Sequence, residues 1–148
     1  MDNLIAMLKT VLGSVFAAYT KAHACHWVIE GINFSQLHAF FGELYNEIWL
    51  SVDDIAEQIR QLDAYTPTSL TRLRELSKIE DLVEPLPPRE LVLALLADQI
   101  IIIDLLTTTL HEAERKDKQG LVNFLAGRIE AHSKQRWQLR ATAKQLRE

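Results

Sequence analysis

Apolar residues recur every three or four positions along almost the whole chain, the spacing of one face of an α-helix. Leu4, Leu8, Val11, Leu12, Val15 and Tyr19 form the first stripe, with Asp2 or Asn3 available to cap its start. Gly31 and Asn33 break the pattern. A second and cleaner stripe, Leu37, Phe41, Leu44, Ile48, Val52, Ile55, Ile59 and Leu62, predicts a helix from Phe34 to Leu62. At 1.5 Å of rise per residue, roughly 28 residues span about 42 Å. Thr66-Pro67 ends that helix, because the residue before a proline is pushed out of the helical region. The connection over 65–88 closes on Pro85, Pro87 and Pro88. Within it, Ser69 to Ser77 reads as a short helix with Leu70, Leu73 and Leu76 on one side. A third long helix is expected from Pro88 to Arg115, with proline in the first turn, where its missing N–H costs nothing. A fourth follows from Asp117 to Leu146, with Leu121, Leu125, Ile129, Leu139 and Leu146 along one face. No segment alternates as a half-buried strand would.

Two long helices joined by a short turn, then a long crossover, then a second helical pair describe an all-α fold. The topology is that of a ferritin-like four-helix bundle with a short extra helix in the crossover between helices 2 and 3. At 148 residues the chain is sized for a single domain, 1–148. Hydrophobic residues at 48% and charged residues at 24% exclude a disordered tail, and 5 Gly with 4 Pro are too few for a turn-rich β-protein. The most apolar stretch, Leu91 to Leu106, is interrupted by Asp98, Gln99 and Asp104, so it reads as a buried core helix and no membrane span is expected. The single cysteine cannot form an internal disulfide, and residues 1–20 lack the layout of a secretory signal. A cytoplasmic protein is the expectation, with association with the nucleoid as its variant.

Charge is distributed unevenly. Residues 1–114 carry 7 Lys+Arg against 17 Asp+Glu, whereas residues 115–148 carry 9 against 3. An acidic body argues against a chain built mainly to neutralise nucleic-acid phosphates. The basic last helix, with Lys134, Arg136, Arg140, Lys144 and Arg147, reads first as a solvated face.

The densest set of candidate metal ligands is His23, His26, His38, Asp53, Asp54 and Glu57. Asp53 and Glu57 stand four apart and share a helix face. His26 lies where the first helix ends and His38 just inside the second, so antiparallel packing brings the two histidines together. Imidazole plus carboxylate suits Fe(II), with Zn and Mn as competitors. His38 and Asp53, however, are separated by 15 residues of one straight helix, about 22 Å. They cannot hold one ion within one chain. Two copies pairing their second helices antiparallel about a two-fold axis would place the start of one beside the far end of the other, twice over. The interior offers no alternative: ordinary ferritin di-iron sites need Glu-x-x-His pairs, and here there is only the reversed His111-x-x-Glu114.

Cys25-His26-Trp27, Glu30-Gly31-Ile32-Asn33-Phe34, Leu37-His38 and Asp53-Asp54-Ile55-Ala56-Glu57 together resemble the signature of the Dps proteins, small ferritin-like proteins of starved and oxidatively stressed bacteria. The likeness continues through Ser69 to Asp81 and His132 to Arg140. It implies a hollow homododecamer with ferroxidase sites at dimer interfaces, where Fe(II) is oxidised, preferably by hydrogen peroxide, and stored as ferric mineral. Carried over, His26 and His38 of one subunit and Asp53 and Glu57 of its mate are the metal-binding and catalytic residues. Many family members carry an acid four residues after the second histidine; here that position is Gly42. Glu43, next to it, is the one substitute, but one residue rotates a side chain by about 100° on a helix. One tight iron position per site is therefore expected, with a weak second. Asn123 replaces an acid expected near the iron-access pore.

His23 is weighed evenly between a supporting role and an ordinary helix position. His111 and His132 read as structural, Cys25 as a small buried residue, and Trp27 as helix-end packing ahead of a scavenger of stray oxidising equivalents. The alternative function is a DNA-compacting shell with little iron chemistry. DNA binding in the family often uses a Lys-rich extension, and the chain runs directly from MDNLIAM into its first helix, so weak or absent DNA binding is expected.

Overall fold

The computed structural model of the chain describes residues 1–146, which contain five helices and no strand. These are α1 (Asp2–Val28), α2 (Phe34–Gln61), α3 (Leu70–Leu76), α4 (Pro88–Arg115) and α5 (Gln119–Gln145). All four long helices and the short one in the crossover lie where the apolar periodicity predicts them. The cap of α1 differs. Met1 is the flanking residue and no side chain caps the helix; Asp2 lies inside the first turn, and Asn3 turns its amide to the Met7 sulfur at 3.7 Å. An acid inside the first turn still meets the positive end of the helix dipole.

α1 packs along α2 and α4, and α4 along α5, closing the bundle. Its core is built from Leu4, Leu8 and Val15, from Phe41, Ile48, Ile55 and Ile59, from Leu91, Leu95, Ile102 and Leu106, and from Leu125 and Leu139, all fully buried. By length and composition α1 and α4 could each cross a membrane. In the bundle their apolar faces lie in the core, and between them Lys21 and Asp98 form a buried ion pair at 3.1 Å. Burial nevertheless pushes the Asp98 carboxyl up to about 6, against the opposing pull of Lys21.

The crossover is tied to α1. Ser69 Oγ accepts the Arg72 N–H at 3.1 Å and starts α3. Ser14 Oγ accepts the Lys78 N–H at 3.0 Å just beyond it. At Gly13 the approach is so close that a Cβ would lie 2.6 Å from the Leu73 carbonyl oxygen. Gly13→Ala must therefore push backbone away, at a cost of about 1–3 kcal/mol. The expected outcome is a lower Tm and faster proteolytic cleavage within 65–88; unchanged cleavage would show that the contact does not hold the crossover.

Between α1 and α2 the chain reverses over Ile29 to Asn33, with Gly31 at φ +111°, a conformation that side-chain-bearing residues rarely adopt. The Phe34 N–H returns to the Gly31 carbonyl at 3.1 Å and starts α2. This tight reversal sets the end of α1 against the beginning of α2.

Candidate metal centre

His26 sits in the last turn of α1 and His38 early in α2, and the reversal stacks their rings with centroids 3.7 Å apart. Each ring is held by the other residue's backbone. His26 Nδ1–H donates to the His38 carbonyl at 2.6 Å, and His38 Nδ1–H donates to the His26 carbonyl at 2.8 Å. A carbonyl can only accept, so both rings carry their proton on Nδ1 and leave the Nε2 lone pair free. A histidine whose Nδ1–H is anchored to a carbonyl is oriented as a metal ligand should be. The His26 carbonyl is among the last four of α1, which the helix itself leaves unmatched.

Gly42 has a spatial reason that composition does not reveal. A Cβ there would lie 3.2 Å from His26 Cε1 and 3.3 Å from Nδ1. The imidazole lies over the bare backbone, so the missing acid and the seat of His26 are one feature. Glu43 is exposed on the neighbouring face of α2.

At the other end of α2, Asp53, Asp54 and Glu57 can bring ligand atoms within 4.8 Å of one another, all exposed. Asp53 and Glu57 are the ligands expected from the sequence; Asp54 lies in the same group. The fold thus joins the histidines to each other and the acids to each other. It does not join the two groups, since 15 residues of straight helix separate His38 from Asp53 by about 22 Å.

An aromatic cluster flanks the histidines. His23 stacks on Tyr45 at 3.8 Å and 7°, and shares a hydrogen bond with Tyr19 Oη through Nδ1 at 3.0 Å. Partial burial and the neighbouring His26 lower its pKa. Tyr19 lies against Trp49 at 4.8 Å, and His23 against Trp27 at 4.4 Å. Trp27 is 66% exposed, so at the end of α1 it covers His23 without entering the core. Tyr19, Tyr45 and Trp49 were missed as a cluster; Tyr19 was legible only as a member of the first helix's stripe.

Cys25 and His132 are buried, as the structural roles expected of them require. Cys25 is fully buried and its thiol is pushed up to about 12, so it offers no thiolate. His132 is fully buried and hydrogen-bonded, whereas His111 is exposed and meets Glu114 at 3.1 Å. Asn123 is exposed near the start of α5. Of the basic positions, Lys134, Arg140 and Lys144 are exposed beside an exposed Trp137 and Arg136 is half-buried, while Arg147 lies outside the described residues.

A four-helix bundle with a long central crossover, and histidines and carboxylates on its flank, defines a class. The chain belongs to the ferritin-like domain family, whose profile matches residues 5–148. Dps proteins are among its relatives. It is 27% identical to DNA protection during starvation protein 2 of Bacillus anthracis, covering 94% of this chain and 95% of that one. Dps from Staphylococcus aureus superposes with a TM-score of 0.92 at 26% identity, covering 97% and 96% of the two chains. Dps from Vibrio cholerae O1, described as a member of a broad superfamily of ferritin-like diiron-carboxylate proteins, superposes at 0.91 with 25% identity, covering 95% and 88%.

Proposed function

We propose that this protein is an iron-detoxifying and iron-storing ferroxidase whose active centres form between two copies of the chain. The observation that carries this reading is the division of one ligand set between opposite ends of α2: two histidines held through Nδ1, which leaves Nε2 as the ligand atom, and a triad of acids about 22 Å away. Antiparallel pairing of two chains about a two-fold axis brings His26 and His38 of one against Asp53 and Glu57 of the other, and does so twice. Neutral imidazole and carboxylate suit Fe(II) as substrate, and the negative charge of the carboxylates stabilises Fe(III) more strongly. Hydrogen peroxide takes one electron from each of two Fe(II) ions and two protons, giving two Fe(III) and two waters. With Gly42 in place of an acid, each centre holds one iron tightly. The dimers assemble into a hollow dodecamer that keeps the ferric product as mineral, in the cytoplasm, protecting the cell against oxidative stress. DNA compaction is the secondary reading; the basic face of α5 is small, and DNA binding is weak or absent.

The test is anaerobic Fe(II) titration of the wild type and His26→Ala, followed by one pulse of hydrogen peroxide. Wild type binds tightly and oxidises about two Fe(II) per peroxide, and the variant does neither. Equal binding by the variant would show that the ligand assignment is wrong. Tight binding without accelerated oxidation would leave a metal-holding shell.

A further inference from the structure

The interior of the bundle, away from the flank just described, contains a second convergence of metal-ligating groups. Glu47 of α2 receives both Arg128 Nη1 at 2.6 Å and Nη2 at 2.9 Å. The same Nη2 lies 3.2 Å from His132 Nε2. His132 Nδ1–H donates to Gln99 Oε1 of α4 at 2.6 Å, so Nε2 carries the lone pair and accepts from Arg128. Gln135, one turn beyond His132, donates its amide to Glu47 Oε1 at 2.6 Å, while its own Oε1 is buried without a hydrogen-bond partner. His132 and Gln135 are buried and Glu47 half-buried.

A carboxylate and an imidazole, the latter held through its Nδ1–H by the Gln99 side-chain carbonyl, are drawn from facing helices around one cation, and the Gln135 amide nitrogen rests on the carboxylate. Ferritin-like bundles place di-iron centres in the core in this way, with inward carboxylates and histidines from facing helices. Here the cation is a guanidinium. The neighbouring residue on α4, Asp98, is likewise neutralised by a protein cation, Lys21. Half-buried Glu47 and buried Asp98 are thus balanced by one arginine and one lysine.

We propose that Arg128 is a built-in cation that occupies a metal-competent donor set in the bundle interior, and that this guanidinium is what keeps divalent ions out of the core. Nη2 touches both Glu47 Oε1 and His132 Nε2, at 2.9 and 3.2 Å. These hydrogen-bond lengths exceed coordination bonds of about 2.0–2.2 Å by roughly 1 Å. A metal at that position draws the donors inward by the difference, and rotating the Gln135 amide turns its unpartnered oxygen toward it. With Arg128 present the position is filled by a fixed positive charge, and a cation is repelled.

The test is Co(II) titration of the purified assembly, read by stoichiometry and by the visible absorption of Co(II) bound to nitrogen and oxygen. Arg128→Ala is expected to bind one more Co(II) per chain than the wild type, and Arg128→Ala/His132→Gln to lose that extra ion. An Arg128→Ala protein that folds but binds no extra Co(II) overturns the proposal, as does an extra ion that survives removal of His132. Should Arg128→Ala be unfolded alone, Co(II) is expected to restore its helical circular dichroism, and failure to do so equally overturns the proposal. The additional ion is counted above whatever the flank binds, so the outcome is independent of the ferroxidase reading.

Discussion

A mixture of two disabled chains is expected to bind Fe(II) where neither does alone. His26→Ala removes a ligand beside the start of α2, and Asp53→Asn/Glu57→Gln removes the two expected acid ligands near its far end. Each homodimer then has two broken centres. A mixed dimer has one centre with both defects and one with neither, because the intact histidines of one chain face the intact acids of the other. Unfolding and reassembling the two variants at equal concentration makes about half the dimers mixed and returns about a quarter of wild-type centres. The readout is tight anaerobic Fe(II) binding per chain, with peroxide-driven oxidation recovering in proportion. No recovery in a mixture that has demonstrably reassembled would remove the two-chain centre. The effect is large because coordination is all-or-none at each centre: an imidazole pair without its carboxylates is a neutral, two-donor site that competes poorly with water.

The second large effect is electrostatic and lies in the core. Burial holds His132 neutral, its pKa lowered from 6.5 to about 3, with the Arg128 guanidinium adding to the burial. A depressed folded-state value means that this stabilisation is fully present above pH 6.5 and is lost as the pH falls toward 3. Asp98 does the opposite. Its value is raised from 3.8 to about 6, so its stabilisation is present below 3.8 and is lost as the pH rises through 6. Between pH 4 and pH 6 the two slopes oppose each other and nearly cancel in the wild type. His132→Gln keeps a donor for Gln99 and an acceptor for Arg128 but removes the titrating group. Its stability is therefore expected to rise relative to the wild type as the pH falls from 6 to 4, by about 1.4 kcal/mol per pH unit. In a domain of this size that is about 4 °C of Tm per pH unit. Parallel melting profiles for the two proteins would show that His132 titrates normally. Below this window the Glu47 carboxyl contributes as well. Burial raises it, but Arg128, His132 and Gln135 together hold it lower than usual, so its contribution is lost under stronger acid.

Much of the fold was legible because helical periodicity is a local property. The stripe from Leu37 to Leu62 and the proline-flanked connection over 65–88 determine α2 and the crossover whatever surrounds them. The start of α1 was less legible, since Asp2 and Asn3 are equally good caps on paper, whereas the helix begins one residue earlier, with Met1 at the flanking position and both of them inside the first turn. The ligands were named from spacing and family likeness, and the division of His38 from Asp53 followed from helix length alone. Neither method could reveal that His26 and His38 hold each other's Nδ1 protons, because this depends on where two backbones meet after a tight turn. Gly42 shows the same limit. Along the chain it is a missing acid and a weak helix former; in three dimensions it is the space beneath an imidazole.

The sequence by itself therefore determined the five helices, the ferritin-like topology, and the separation of histidines from acids along one rigid rod. Those properties follow from periods of three or four residues and from a fixed rise per residue. Only the tertiary structure decided the tautomers of the two histidines, the exposure of Trp27, and the pairing of Glu47 with Arg128 and Asp98 with Lys21. Apart from Trp27, each of these joins residues on different helices, and their energies come from burial and from hydrogen bonds that exist only once the helices are packed.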